Sequence, residues 1–240
     1  MLPPRAHWPI WVLLKSCVQV ISATVVEALK VRNIKRGNLV MLFGNKVRLI
    51  KYLNSILIGL PIWFVVGILI TFSPEFGKAI GLTDPVDAGK AVMFFFAGQV
   101  AGDIVSGFLS QYTKSRKKII SLFMMISLTF VFVYLLFPSS DLATFYLICI
   151  CLGIGYWTLF VTVAAELFGT NLCATVATSA PNFVRGAVIP LTTLFIYGKN
   201  HFGILQSAMG VGFLAFGIAM LSLRFLEETY SKELDYTEMD

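Results

Sequence analysis

Two ionisable residues lie inside long apolar stretches of this sequence, where a charge is rare and usually functional. Asp103 and Arg185 each lie about nine residues from a segment end, which in a helix places them roughly 13–14 Å deep. At that depth an unpaired charge costs at least about 3 kcal/mol, so each needs a partner, a proton or a water-filled cavity. Asp103 could carry a proton. Arg185 could bind a solute or form a structural ion pair, and a direct Asp103–Arg185 pair is also open.

Uncharged polar and aromatic residues in the same stretches are further candidates for a solute-binding cavity. Such side chains can hydrogen-bond a solute or stack on a ring. Packing is an equal alternative for the amide of Asn182 and the indole of Trp157, and the favoured one for Tyr156. The full set of cavity candidates is Asn54, Trp63, Gln99, Tyr156, Trp157, Asn182 and Arg185.

The composition explains why these polar residues stand out. Of the 240 residues, 57% are hydrophobic and only 13% are charged, and the mean hydropathy is +0.81. A soluble domain carries about 25% charged residues, so the main solvent of this chain is lipid. The four cysteines (17, 149, 151 and 173) have neither metal-binding nor disulfide spacing, and we expect them to pack as small apolar residues.

The apolar stretches predict an all-α, polytopic membrane protein. A crossing needs about 20 mostly apolar residues, and helices satisfy their own backbone hydrogen bonds in hydrocarbon. Turn residues or charges separate the stretches. Six transmembrane helices are predicted, over residues 52–72, 90–112, 119–137, 142–166, 176–197 and 204–226.

The positions of Lys and Arg predict the orientation of this bundle. Six crossings place both ends of the bundle on one side, and that side holds fifteen cations against three on the other. Positive residues accumulate in the cytoplasm, so we expect cytoplasmic termini and location in the inner or plasma membrane. The net charge of +6 is therefore a topology signal accompanied by contact with anionic lipid, and no nucleic-acid partner is expected.

The regions outside the bundle differ in character. Residues 1–26 are apolar but interrupted by Lys15, and they form an atypical segment. Residues 27–51 are basic and amphipathic, which predicts a linker at the cytoplasmic surface before the bundle of residues 52–226. Residues 227–240 form an acidic tail that we expect in the cytosol.

The second predicted span carries small residues on one stripe, at Gly98, Gly102, Ser106 and Ser110. Small residues at every fourth position allow another helix to approach closely. A parallel polar stripe one position further on contains Gln99, Asp103, Gly107 and Gln111. This helix should therefore turn a close-packed polar face away from lipid.

Three short stretches together resemble motifs of the major facilitator superfamily (MFS), in the branch of sugar and organic-ion porters. Residues 107–118, GFLSQYTKSRKK, resemble the loop motif Gly-x-Leu-x-Asp-Arg-x-Gly-Arg-Arg between the second and third helices of a half. Residues 165–175, AELFGTNLCAT, resemble Glu-Leu-Phe-Pro-Thr-x-x-Arg-x-Thr, and residues 226–235, LEETYSKELD, resemble a Pro-Glu-Thr-Lys-Gly tail. Gln111, Gly169 and Cys173 depart from these motifs, and Gln111 weakens the charge relay of the first one.

The resemblance implies the carboxy-terminal six-helix half of a carrier that works by alternating access. In such carriers two bundles rock about a central site. The matching acid of the family pairs with the basic loop, so Glu166 would pair with Arg116 or its neighbours. The implied cytoplasmic gate contains Gln111, Arg116, Lys117 and Glu166.

The expected activity is secondary transport of a small solute, such as a sugar, metabolite or organic anion, with Asp103 as the candidate for proton coupling. The expected partners are the solute, a co-transported proton, lipid, and a missing amino-terminal half or a second copy. Alternatives are a half-transporter acting as a dimer and a non-transporting structural or regulatory membrane protein. No enzyme motif is present, and neither a cofactor nor a metal is expected.

Overall fold

The structure is a computed structural model that describes residues 39–136 and 141–230. Within these ranges the regular secondary structure is entirely helical. The helices are α1 Leu39–Gly44, α2 Lys46–Leu57, α3 Leu60–Phe64, α4 Ser73–Ala79, α5 Ala88–Thr113, α6 Arg116–Leu136, α7 Leu142–Gly153, α8 Trp157–Glu166, α9 Thr170–Gly186, α10 Val188–Phe202 and α11 Ile204–Phe225, with a π-helical turn at Val65–Ile70 between α3 and α4. The predicted segment 1–26, about half of the predicted linker (27–38) and most of the acidic tail (231–240) lie outside the described residues.

Five helical stretches of the described chain are long and apolar enough to cross a membrane. They are Lys46–Ile70, Ala88–Thr113, Arg116–Leu136, Leu142–Glu166 and Ile204–Phe225. The prediction of a helical, membrane-spanning chain is thereby confirmed. The first stretch begins at Lys46 rather than at residue 52, so it includes the end of the segment predicted as a linker.

The fifth predicted span, residues 176–197, is divided into two helices, α9 and α10. The division falls at Ala187, whose N–H is shared between the carbonyls of Phe183 and Val184 at 3.0 and 3.1 Å. Pro190 follows three residues later and has no N–H with which to continue the α-helical ladder to Gly186. Within the described residues, five helical stretches rather than six are therefore long and apolar enough to cross a membrane.

The small-residue stripe of α5 is buried as predicted, and it packs against α7. Gly98, Gly102, Ser106 and Ser110 are all buried. A Cβ added at Gly98 would lie well under 3.0 Å from the carbonyl oxygen of Ile150, and the same holds for Gly153 and the carbonyl oxygen of Phe95. Backbone therefore meets backbone directly between these two spans, as small residues permit.

The first span is interrupted twice, and a tyrosine hydroxyl reaches it near each interruption. Between α2 and α3 the carbonyl of Ile58 accepts a hydrogen bond from the Tyr156 hydroxyl at 2.8 Å. In the π-helical turn the carbonyl of Leu69 accepts one from Tyr134 at 3.0 Å. Both bonds are buried, where water cannot satisfy these acceptors.

Replacing Tyr156 by Phe should lower the free energy of unfolding by about 1–3 kcal/mol, because the buried Ile58 carbonyl would lose its partner. The measurement is thermal or denaturant unfolding of the purified chain in detergent. Tyr112→Phe is the matched control, since Tyr112 is 90% exposed. Equal stability of the two variants would contradict the assigned role of the Tyr156 hydroxyl.

Candidate functional site

An open cleft of about 290 Å³ collects four of the seven predicted cavity residues, together with Asp103, the residue predicted for proton coupling. Four separate parts of the chain contribute to it: the first span, α5, the start of α8 and the end of α9. Its walls are formed by Ile62, Trp63, Val66, Phe96, Gln99, Val100, Asp103, Trp157 and Arg185. The cleft therefore combines one cation, one carboxylate, one amide and two indoles in apolar surroundings.

The two indoles and the guanidinium form a compact group in this cleft. The rings of Trp63 and Trp157 meet edge to face, with centroids 6.0 Å apart and an interplanar angle of 73°. The Cζ atom of Arg185 lies 5.1 Å from the centre of the Trp63 ring, which is within the range of a cation–π interaction. The Nε1 atom of Trp63 is shielded from solvent and has no hydrogen-bond partner among the described residues. Among the described residues, the Trp63 indole and the Arg185 guanidinium of the cleft thus hold donors without an acceptor.

Asp103 is held by the broken fourth span. Residues 154–156 separate α7 from α8, and the Asp103 carboxylate accepts a hydrogen bond from the N–H of Thr158 at 3.0 Å. A carboxylate at this position satisfies a free N–H of the first helical turn and complements the positive end of the helix dipole. Asp103 and Arg185 share the cleft, but no ion pair joins them at 4.0 Å or less.

Three predicted cavity residues do not line this cleft. Tyr156 is fully buried, with its hydroxyl committed to Ile58, so its side chain completes the fold. Asn182 is exposed and donates to the carbonyl of Thr178 one turn earlier at 2.9 Å. Asn54 lies in a different cleft, together with Lys51 and Phe225 near the start of the first span and the end of α11.

A second polar cluster lies at one end of the bundle, around a paired Arg116 and Glu166. The Nε and Nη2 atoms of Arg116 each lie 2.7 Å from a different carboxylate oxygen of Glu166. The two side chains are only 14% and 15% exposed. The Nη2 contact is a hydrogen bond and the Nε contact is a close approach of opposite charges, and together they join the start of the third span to the end of the fourth.

Lys117 and Glu228 extend this cluster to the end of α11. Lys117 donates through Nζ to the carbonyls of Arg224 and Leu226, at 3.0 and 2.7 Å. Glu228 accepts from the Ser115 hydroxyl and from the N–H groups of Arg116 and Lys117, so it caps the first turn of α6. Gln111, a predicted gate residue, is exposed and makes none of these contacts.

Glu228 is absent from the set of site residues predicted from sequence. It lies in the stretch that resembles a Pro-Glu-Thr-Lys-Gly tail, and that resemblance is the signal that could have identified it. Partial burial raises the pKa of Glu228, but the hydrogen bonds from Ser115 and three backbone N–H groups lower it more, so the pKa lies below its ordinary value.

This lowered pKa predicts how acid affects the chain. A carboxyl group whose pKa is lower in the folded state stabilises it above the unfolded pKa of about 4.3, and that contribution disappears as the pH falls through the folded value. Glu228→Gln should therefore lower the melting temperature at pH 7, and the difference from wild type should shrink progressively as the pH falls below about 4.3 and through the lowered pKa of Glu228. Thermal unfolding across this range measures it. Asp84→Asn, at an exposed loop position, should show no comparable convergence.

The opposite end of the bundle is joined by a different ion pair. Glu75 in α4 contacts Lys199 in α10, with both side chains partly exposed. The hydroxyl of Tyr146 also accepts from the N–H of Asp87 at 3.0 Å, immediately before α5. Polar contacts thus hold the helix ends together on both sides of the apolar layer.

Comparisons with family models, with curated proteins and with solved structures found no match for this chain. The fold and the cleft define its class: a helical, membrane-spanning protein with a polar cleft among its apolar helices.

Proposed function

We propose that this chain is a bundle of a secondary solute carrier of the major facilitator type, working by alternating access in the inner or plasma membrane. The observation that carries the proposal is the central cleft. Arg185, Asp103 and Gln99 meet there with two indoles, beside a break in a membrane-spanning helix. Carriers commonly place their solute sites beside discontinuous helices near the middle of the membrane.

The proposed topology has six crossings and cytoplasmic termini. In it α9 and α10 together form the fifth crossing, bent at Ala187. The distribution of Lys and Arg supports the orientation. The Arg116–Glu166 pair would then lie on the cytoplasmic side, where it would hold that side of the carrier closed.

The cleft supports a solute that carries negative charge. Arg185 is an exposed cation on an apolar span, and its contact among the described residues is with the Trp63 ring rather than with a carboxylate. A carboxylate would supply the missing counter-charge and accept hydrogen bonds from the guanidinium. Gln99 is largely buried and would add a neutral donor and acceptor.

Asp103 offers a route for proton coupling. While it is ionised, its carboxylate accepts from the N–H of Thr158 at the start of α8. Protonation would remove the charge that complements this helix end, and so weaken the contact between the second and fourth spans. Proton uptake at Asp103 would thereby change the position of a helix that contributes Trp157 to the cleft.

The proposed carrier needs a second bundle to enclose the cleft. Thr178, Asn182 and Arg185 are exposed along one side of α9, where lipid would be a poor solvent for them. A six-helix half or a second copy of this chain could supply the opposing surface. Either arrangement would convert the open cleft into an enclosed central site.

Uptake into proteoliposomes made with the full chain tests this proposal. A panel of radiolabelled glucose, lactate, benzoate and tetraethylammonium would be measured with and without an inward proton gradient. We expect at least one anion to accumulate, and Arg185→Gln to reduce its initial rate at least about tenfold, the equivalent of 1.4 kcal/mol. Lys78→Gln, which removes an exposed cation outside the cleft, should not change the rate.

Two outcomes would overturn the proposal. One is the absence of uptake both for the chain alone and for a covalent tandem of two copies. The other is uptake that Arg185→Gln leaves unchanged. The first result would favour a structural or regulatory membrane protein, and the second would place any transport path outside this cleft.

A further inference from the structure

A second cleft, of about 350 Å³, lies between the ends of α6 and α11 and is distinct from the central cleft. It is lined by Ser115, Lys117, Lys118, Ser121, Met220, Leu223, Arg224 and Glu228. Its lining combines three cations and two hydroxyls with apolar side chains. That combination suits a ligand with an anionic phosphate and an apolar portion.

The charged side chains of this cleft differ in whether they have partners among the described residues. Lys117 is engaged with two carbonyls of the α11 end, and the Glu228 carboxylate accepts from the start of α6. Lys118 and Arg224 are both exposed, and neither side chain forms an ion pair or hydrogen bond with another described residue. Two cations without a partner among the described residues therefore flank the cleft, and its one acid already accepts hydrogen bonds from the start of α6.

The position of the cleft in the bundle indicates which phosphate compound fits. α6 and α11 are both long and apolar enough to span a membrane, and the cleft lies where α6 begins and α11 ends. Ends of membrane spans lie at the level of the lipid headgroups. Ser121 and Met220, about one turn inward from Lys117 and Arg224, face the region where glycerol and the first acyl carbons lie.

We propose that this cleft binds the headgroup of an anionic phospholipid. Lys118 and Arg224 contact the phosphate, the Ser121 hydroxyl donates to a phosphate or glycerol oxygen, and Met220 and Leu223 pack against the upper acyl chain. The site is independent of the proposed transport activity, because it requires only that α6 and α11 span the membrane.

Native mass spectrometry of the full chain in detergent, titrated with dioleoylphosphatidylglycerol, tests the site. We expect one tightly held lipid in the wild type, and an apparent Kd about 10- to 30-fold higher in the double variant Lys118→Gln/Arg224→Gln, which removes two headgroup-level cations. The matched control is Lys78→Gln/Lys90→Gln, which removes the same charge at the other end of the bundle. It should leave this Kd unchanged. Dioleoylphosphatidylcholine, which has no net charge, should bind at least about tenfold more weakly.

A variant that changes no charge distinguishes lipid binding inside the cleft from general electrostatic attraction to the cations. Ser121→Leu fills the cleft and keeps every cation, so it should also displace the lipid. Equal weakening by the two double variants would overturn the site, and so would full binding to Ser121→Leu. Inorganic phosphate that displaces the lipid at equal concentration would overturn the lipid assignment in favour of a free phosphate. Monodisperse elution and a wild-type melting temperature in the absence of lipid are required of every variant.

Discussion

Replacing Gly98 by Ala should lower the free energy of unfolding by about 3 kcal/mol or more, at the upper end of the cost of overpacking a core. The added methyl group would overlap the carbonyl oxygen of Ile150, and this obstacle is backbone. A side chain could rotate away, but a backbone carbonyl inside α7 cannot move without breaking its helical ladder. The two spans would therefore have to separate along the length of their contact.

Gly153→Ala should have a similar effect from the opposite helix, because its methyl group would overlap the carbonyl oxygen of Phe95. The matched control is Gly107→Ala in the same helix as Gly98, where nothing lies within 4 Å of the added carbon. Because alanine has a greater helix propensity than glycine, this control variant should have unchanged or slightly higher stability. Denaturant unfolding in detergent measures all three variants. If Gly98→Ala and Gly107→Ala unfolded alike, the direct contact of α5 with α7 would be wrong.

Replacing Arg116 by Ala should also be strongly destabilising, by about 3 kcal/mol, because it leaves the largely buried Glu166 carboxylate without its partner. Glu166→Ala should lower the free energy of unfolding by a comparable amount, because it leaves the largely buried Arg116 guanidinium without its partner. The exchanged variant Arg116→Glu/Glu166→Arg should recover part of the loss, which a simple packing defect would not allow. Lys118→Ala, at the exposed cation two residues further on, should change stability by no more than about 0.5 kcal/mol.

Thiol labelling provides a second measurement of the same pair. Cys173 lies in α9, shortly after Glu166, and is partly buried. In a chain whose other three cysteines are replaced by Ala, Arg116→Ala should increase the rate at which a maleimide labels Cys173, because this end of the bundle loosens. An unchanged rate would mean that the ion pair stabilises the fold without controlling access to this end.

The sequence could predict the features that depend on spacing along one helix. Gly98, Gly102, Ser106 and Ser110 recur every fourth residue, so their common burial follows from helical geometry alone. Four of the apolar stretches were also predicted to within about three residues of their ends, from the length of their apolar runs, whereas the start of the first span and the division of the fifth were not. Trp63, Asp103 and Arg185 could each be selected because polar side chains are costly in lipid, and a cleft that collects them is what that cost requires.

Features that depend on contacts between distant segments were not predictable. Nothing in the sequence around Asp103 shows that its partner is the N–H of Thr158, because that partner exists only where the fourth span breaks. Tyr156 fits a cavity residue by its type and position, yet its hydroxyl is needed by the Ile58 carbonyl of another span. Pro181 and Pro190 indicate kinks in the fifth span, but the sequence did not show that the helix is divided at Ala187.

The contacts of Glu228 have a consequence for the order in which this chain is made. Glu228 accepts from the backbone N–H of Arg116, a residue synthesised 112 positions earlier. While the intervening helices enter the membrane, the N–H groups of the first turn of α6 lack the Glu228 carboxylate as their acceptor. The cluster around Arg116 is thus completed only after residue 228 has left the ribosome, and nascent chains arrested before that residue should be recognisable by an α6 end that proteases can still cleave.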